Sequence, residues 1–434
     1  MIIIETEEDI KTFDFYWNNE PSFVVPIYSD HEKHPMGTYI SFLYVRFRDS
    51  ETDDGDVPID YIINYNHNDC ERPLIDLSKS TQPKRVWDLK GLLHFPLHLK
   101  NVIDLHSDVY FTIDQHVDLH SFTEVLTNPY IRNGLRDNLG RSIPIMKYVE
   151  VLHKFTNPLM GFIDRELSSF DLWMNSVMIP SLSRIEEKGI NVEYEKFFER
   201  WSDHSKYLEK DKIYSEYNPY TITSRPSNRH GGINFGALNK KDGTREIFIP
   251  SKNHTFLQFD YDAYHVRLIG KLIDYKLPET SAHQWLADQY GMSYDESKGR
   301  TFQILYGGPT EEDKKIPFFN ETDIYIRNLW EDVQVSGFVE TPKGRKIQLK
   351  WIDKPTPQKV FNYLLQSMET EMNMDIVKKL YDNNIDSLVL YSYDAFLFDY
   401  SISEPKETGL KIKEIIESNG FPVHVSWGEN YSKV

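Results

Sequence analysis

Three groups of side chains in this sequence have the types and spacing for phosphoryl chemistry. The first lies in HTFLQFDYDAYHVRLIGKLIDY (254–275), which opens as a short apolar strand and continues as an amphipathic helix with Tyr264, Leu268, Ile269 and Leu272 on one face. Asp260 and Asp262 stand at the switch. A strand end opening into a cleft gives a carboxylate a rigid seat facing solvent, which suits a metal ligand. The same two acids are also what a helix N-terminus collects. The second is DSLVLYSYDAFLFDYS (386–401), two apolar strands around a turn that holds Asp394, with Asp399 farther down. A rigid hairpin can set Asp394 beside another acid. Two carboxylates holding two divalent ions about 3.5–4 Å apart form the arrangement for in-line displacement at phosphorus. An ordinary hairpin with Asp in its turn reads the same way. The third is SKGRTFQILYGGP (297–309), where Lys298, Phe302 and Tyr306 recur at i, i+4 and i+8 on one helix face before Gly307, Gly308 and Pro309 stop the helix. Ammonium, phenyl and phenol in a row suit a nucleoside triphosphate. A core-facing aromatic stripe with a snorkelling lysine would look alike.

The elements around these groups fall into regions. Residues 21–29, 38–49 and 57–66 read as strands, and ETDDGDV (50–56) as an acidic loop. Residues 146–212 change to helical periodicity, with Pro180 starting or kinking one helix and Gly189 ending another. Residues 213–253 are rich in Pro, Gly and Asn, and strands and helices alternate from 254 onward. Boundaries are therefore expected near 145 and 215. The 434 residues, 40% hydrophobic and 14% aromatic, suit two or three globular domains. No apolar run reaches 18 residues, so no transmembrane helix is expected, and MIIIETEEDIKTF lacks the basic start of a signal peptide. Cys70 is the only cysteine, which excludes an internal disulfide and a cysteine metal cage and points to a cytoplasmic setting. A net charge of −18 opposes nucleic-acid binding in general, yet 221–259 and 337–362 each carry six Lys or Arg against two acids. These windows are either phosphate-binding surfaces or ordinary solvated loops.

Taken in order, these segments resemble family A DNA polymerases, the group that includes bacterial DNA polymerase I and many phage replicative enzymes. FDYDAYHVRLIG resembles that family's motif A through Asp260, Tyr261 and Arg267. KGRTFQILYG resembles motif B through Lys298, Phe302, Tyr306 and Gly307, and YSYDAFLF resembles motif C through Asp394. TSRPSNRHGGINFGAL (223–238) is similar to the Thr-Gly-Arg segment, with Arg225 as its arginine; TPKGR (341–345) is similar to the Thr-x-x-Gly-Arg segment, with Arg345. FNYLLQSMETEM (361–372) resembles the helix whose Asn and Gln, here Asn362 and Gln366, read the minor groove. IPSLSRIEEKGINVE (179–193) resembles the opening of the polymerase domain, so the likeness spans about 170–434.

The resemblance implies an α/β (α+β) fold: a right-hand palm–fingers–thumb polymerase with an N-terminal RNase H-like exonuclease-type domain. It implies primer extension with dNTPs by two Mg²⁺ ions, for which Mn²⁺ can substitute, held by Asp260, Asp394 and the Tyr261 backbone. Lys298, Phe302, Tyr306 and His265 would bind the dNTP; Arg225, Asn362, Gln366 and Arg345 would bind primer–template DNA. The expected domains are 1–145 (exonuclease-like), 146–215 (reduced thumb and connecting helices) and 216–434 (palm and fingers). A monomer is expected, with a processivity factor or helicase as partner, no membrane, and a compact phage or viral replication role.

Departures bear on selectivity. His265 replaces the glutamate that screens the ribose 2′-hydroxyl, Ala395 replaces the motif C glutamate, and Tyr294 replaces the motif B arginine, whose work Arg300 could take up only from another part of the helix. Gly189 and Ser224 are only 35 positions apart, where a full thumb would lie, so low processivity is expected. In the N-terminal region Asp30 and Glu32 form an Asp-x-Glu, or merely a solvated turn, and Asp88 and Asp104 offer a second acidic element. Tyr148 lacks the aspartate of a Tyr-x-x-x-Asp, so an exonuclease remnant without proofreading is expected. Two other readings stay open: an RNA polymerase or primase-like enzyme on the same fold, and a degenerate DNA-binding scaffold.

Overall fold

Segments 22–28 and 40–47 carry apolar residues at nearly every position, the pattern of strands covered on both faces. In the computed structural model, which describes residues 1–29, 34–47, 59–67, 71–112, 152–153, 156–201, 208–228 and 233–434, both are fully buried strands. The chain divides into two compact units, Met1–Glu187 with Ser205–Lys210, and Lys188–His204 with Asp211–Val434.

The first unit is built on a six-stranded sheet in the order Ile2–Ile3, Asp60–Asn64, Ile40–Phe47, Ser22–Tyr28, Lys84–Val86, Val102–Asp104. Ser22–Tyr28, Ile40–Phe47 and Asp60–Asn64 form an antiparallel meander, and Lys84–Val86 and Val102–Asp104 then add in parallel. One face buries Phe23, Val25, Ile27, Phe42, Tyr44 and Ile62 with Leu105 and Val109 of the helix Leu105–Thr112. The other receives the helix Glu7–Asn19, whose Phe13 ring lies 5.7 Å from Phe47 and 5.3 Å from Tyr61. That helix starts at a capping box, Thr6 with Asp9.

Residues 169–186 are also part of this unit. Ser169–Trp173 and Ile179–Glu186 are joined by a π-helical turn, Met174–Met178. Pro180 has no N–H to give the preceding turn, and the wide turn before it absorbs the mismatch. Gly189 follows with φ +61°, and a Cβ there would fall 2.8 Å from the Tyr214 ring, so the reversal needs glycine on two counts.

The second unit centres on a four-stranded antiparallel sheet in the order Leu388–Ser392, Ala395–Ser401, His254–Tyr261, Val423–Gly428. Around it lie the helices Tyr264–Leu272, Ala282–Tyr290, Tyr294–Gly307, Pro317–Ser336, Pro357–Asp382 and Lys406–Ile416. The 26-residue helix Pro357–Asp382 is buried on most sides, including its polar Asn362, Ser367, Glu369, Thr370, Glu371 and Asn373. Among the described residues no helix is long and apolar enough to cross a membrane.

Candidate active site

The strand His254–Tyr261 is paired on both sides, and the register sets Asp260 opposite Ala395 on one neighbour and His424 on the other. Ser392 pairs with Ala395, which leaves Tyr393 and Asp394 as a two-residue turn. Tyr393 has φ +60°, costly for a bulky side chain and normally the place of glycine. Its surroundings hold it there. Asn373 Nδ2 donates to the Tyr393 carbonyl at 2.8 Å, and the Arg225 guanidinium lies 3.8 Å over the Tyr393 ring. The Tyr261 N–H donates to the Asp394 carbonyl at 3.1 Å and ties the turn to the strand carrying Asp260. The sequence-derived pair, 134 positions apart, thus lines one cleft of about 310 Å³.

The electrostatics are those of two acids sharing a confined space. Burial, then the charges of Asp260 and Glu369, push Asp394 up to about 7. Burial also pushes Asp260 up, against the pull of Lys240, Lys298 and His424. Asp262 behaves oppositely. Burial would raise it, but the Ala282 N–H and Arg267 outweigh that and hold the carboxyl below its usual value. Its oxygens accept from Arg267 NH2 at 2.7 Å, Ala282 N at 2.9 Å and Ser281 Oγ at 3.1 Å, with His424 Nε2 at 3.3 Å. Asp262 is therefore spent on starting the helix Ala282–Tyr290 and on anchoring Arg267. Asp260 is the carboxylate left for the cleft.

The helix Tyr294–Gly307 starts at a capping box, Ser293 with Glu296. Its buried face is Ser297, Thr301, Ile304 and Leu305. Lys298 is exposed, as are Phe302 (39%) and Tyr306 (50%), so the aromatic stripe faces the cleft and not the core. The two rings stack at 6.3 Å and 16°. Arg300 pairs with Asp313 at 2.7 Å. His283 is a cleft residue that sequence reasoning missed. It is buried, its ring lies 6.3 Å from Phe302, and its Nδ1 makes no hydrogen bond among the described residues. Burial, then Lys298, holds its pKa below the usual value.

The residues expected at DNA differ in placement. Arg225 lines the cleft and reaches Glu369 at 3.4 Å. Gln366 is half-buried with Thr223 Oγ1 at 3.4 Å, and Asn362 is largely buried on the same helix. Arg345 is buried, donating to Ser224 Oγ and to the Thr221 carbonyl, so it holds the 221–224 turn from behind and is not a surface contact. The sequence alone gave no sign of this, since a basic window reads as exposed by default.

In the first unit, Asp30 and Glu32 lie outside the described residues. Asp104 is fully buried and accepts the Leu89 and Ser107 N–H groups at 3.0 and 2.8 Å, so both of its oxygens cap backbone. Asp88 caps its own helix, accepting from Gly91 N. One cluster, His34, His94 and Glu186, has donor atoms close enough for a metal ion. Lys90 Nζ, however, sits 2.7 Å from both Glu186 oxygens and already neutralises them. His34 Nδ1 accepts the Met36 N–H, which leaves Nε2 of the neutral ring protonated and facing Glu186 as a donor. Lys90 and the two histidines thus tie Glu186 into a buried charge network.

The sheet, its carboxylate hairpin and the surrounding helices make a mixed α/β fold. The chain is similar to the POL domain of Pol1 from M. smegmatis in complex with DNA primer-template and dNTP, with a TM-score of 0.68, 14% identity and coverage of 99% of each chain. No protein-family model matches the sequence, and no curated protein matches it.

Proposed function

We propose that this chain is a template-directed DNA polymerase of family A that extends a primer 3′-hydroxyl with dNTPs and releases pyrophosphate. The observation that carries the reading is the convergence of Asp260, Asp394 and the outward Lys298–Phe302–Tyr306 face on one cleft. The donor set fits a hard divalent cation. Burial raises the proton affinity of both half-buried carboxylates, and Asp260 raises that of Asp394 further; with the Tyr261 carbonyl they offer oxygen ligands only, the preference of Mg²⁺. Bound there, two such ions would supply charge neutralisation at the reacting phosphate and a more acidic primer hydroxyl.

The chain's own groups do the rest. Lys298 meets the phosphates of the incoming nucleotide, with His283 beside it as a further donor. Phe302 and Tyr306 offer faces to base and sugar. Arg225, Asn362 and Gln366 hold the primer–template, with Arg345 bracing the Arg225 segment. The solved neighbour's complex with primer-template and dNTP supports this class of substrate.

The first unit is proposed to be an RNase H-like exonuclease-type domain that does not proofread. Its antiparallel meander followed by two parallel strands supports the fold, and the engagement of Asp104 and Glu186 supports the loss of activity. Removal of a 3′-mismatched nucleotide that stops on changing Asp30 or Glu32 would overturn that part. A compact phage replication enzyme, monomeric and poorly processive without a partner, completes the proposal; long products from a single binding event in a primer-challenge assay would contradict it. The core reading is tested by extension of a labelled primer, expected to require a template and to vanish in Asp394→Ala.

A further inference from the structure

The turn that presents Asp394 is built against the preference of its residues. Tyr393 and Asp394 alone connect the paired Ser392 and Ala395, and Tyr393 takes φ +60°, a place for glycine or asparagine. Strain of that kind persists only where the surroundings over-determine it. Its relaxation would rotate the peptide groups flanking Asp394 and swing the carboxylate with them.

Both of those peptide groups are gripped. On the far side of Asp394 the Tyr261 N–H donates to the Asp394 carbonyl at 3.1 Å, a backbone bond open to almost any residue at that position. On the near side the grip is a side chain: Asn373 Nδ2 donates to the Tyr393 carbonyl at 2.8 Å. Asn373 stands in the helix Pro357–Asp382, 20 positions before the turn, and is fully buried. Its amide is held in turn. Nδ2 also donates to the Tyr391 hydroxyl at 3.3 Å, and Oδ1 accepts from the Tyr264 hydroxyl at 3.2 Å. Tyr264 opens the helix that follows Asp260, and Tyr391 lies in the strand that leads to Asp394. One buried amide therefore joins the two segments that bring carboxylates to the cleft. Arg225 and the bare backbone of Gly236, where a Cβ would fall 2.9 Å from the Tyr393 ring, seat that ring. Asn373 seats the peptide.

Resting on the polymerase reading, we propose that Asn373 is a positioning residue for the carboxylate pair: its amide holds the Tyr393–Asp394 peptide against the strain of the turn and so keeps Asp394 beside Asp260 as a seat for divalent cations. Groups that orient a metal ligand from behind typically matter about ten- to a hundredfold in metal affinity or activity.

The test is a titration of the protein with Mn²⁺ alone, followed by the electron paramagnetic resonance signal of the free ion, and counted as the binding that Asp394→Ala removes. Single-dNTP addition, with kcat and KM, is measured on the same preparations. Asn373→Leu keeps the bulk and loses the amide; Tyr393→Gly is made in both backgrounds, because glycine adopts a positive φ without strain. Asn373→Leu is expected to weaken Mn²⁺ binding by about tenfold or more and to lower kcat by about ten- to a hundredfold. The KM for dNTP should stay within about threefold, since nucleotide contacts are untouched. Adding Tyr393→Gly to Asn373→Leu should restore most of the Mn²⁺ affinity, a repair that a general loss of core packing would not show. If Asn373→Leu does not fold, Asn373→Ser decides, its side chain being too short to reach the Tyr393 carbonyl. A folded variant with unmoved Mn²⁺ binding, or a loss that Tyr393→Gly does not repair, overturns the assignment of Asn373. An unaltered chain that binds Mn²⁺ but extends no primer overturns the polymerase reading, and the titrations still judge Asn373. An unaltered chain with no Mn²⁺ binding that depends on Asp394 overturns both.

Discussion

Asp394→Asn should make the metal-free protein more stable at alkaline pH while removing polymerase activity. In the fold the Asp394 carboxyl is pushed from the ordinary 3.8 to about 7 by burial and by Asp260 and Glu369. Between those values the folded chain keeps a proton that the unfolded chain has released, so stability falls as pH rises through this window. The shift is about three units at about 1.36 kcal/mol each, which sets a ceiling near 4 kcal/mol, and relaxation of the site brings the expected loss to about 2–4 kcal/mol. Asparagine cannot ionise and escapes the loss. The assay is urea unfolding followed by tryptophan fluorescence, in chelator, at a series of pH values. The variant and the unaltered chain are expected to coincide near pH 4 and to diverge by pH 8, with the variant more stable. Added Mg²⁺ should raise the midpoint of the unaltered chain and move that of the variant much less. A variant equal to or less stable than the unaltered chain at pH 8 in chelator would refute the reasoning, because the two carboxylates would then not be in conflict.

Three further outcomes follow from named contacts. Asp262→Ala should cost about 3–5 kcal/mol by stranding the buried Arg267, whereas Asp260→Ala should leave the melting temperature nearly unchanged or higher and abolish primer extension. Gly189→Ala should cost about 1–3 kcal/mol in thermal unfolding, since the new Cβ meets both a left-handed backbone and the Tyr214 ring. Lys90→Met should cost about 3–5 kcal/mol by leaving Glu186 buried without its cation, and Lys90→Met with Glu186→Leu should recover most of it. Burial pushes Glu186 up, but Lys90 and then His94 outweigh it and hold the carboxyl down at about 2. The stability from that pair should be complete above about pH 4.5 and be lost as pH falls toward 2, which acid unfolding of the two variants would show.

The parts of the site legible in the sequence are those set by local pattern. The change from strand to helix period at 254–275 and the apolar strands flanking Asp394 are short-range signals, and both elements form where the pattern places them. Local pattern alone did not say which of Asp260 and Asp262 stays free for the cleft; only the resemblance to motif A pointed to Asp260. Both sit at the same strand end, and the choice depends on Arg267 and the Ala282 N–H reaching Asp262. The helix Tyr294–Gly307 was ambiguous because its buried side includes small polar residues, Ser297 and Thr301, while its cleft side carries the large rings. His283 lies in none of the motifs, and Glu369 lies in the 361–372 segment without a role of its own there; it meets its partner His265 104 positions away, a separation no spacing rule reaches. Residues 169–186 read as helices by periodicity, within the 146–215 region expected to form a reduced thumb with connecting helices. Met174, Met178 and Leu182 are buried there, and Glu186 is fixed by Lys90, which holds that segment in the first unit.

Template-directed synthesis is tested most directly by single-nucleotide addition to a labelled primer annealed to four templates that differ only in the next base, with Mg²⁺ and each dNTP offered separately. The expected result is addition of the complementary nucleotide on each template, its loss on chelation, and its loss in both Asp260→Ala and Asp394→Ala. Absence of addition by the unaltered chain, addition that ignores the template base, or full activity in either aspartate variant would contradict it.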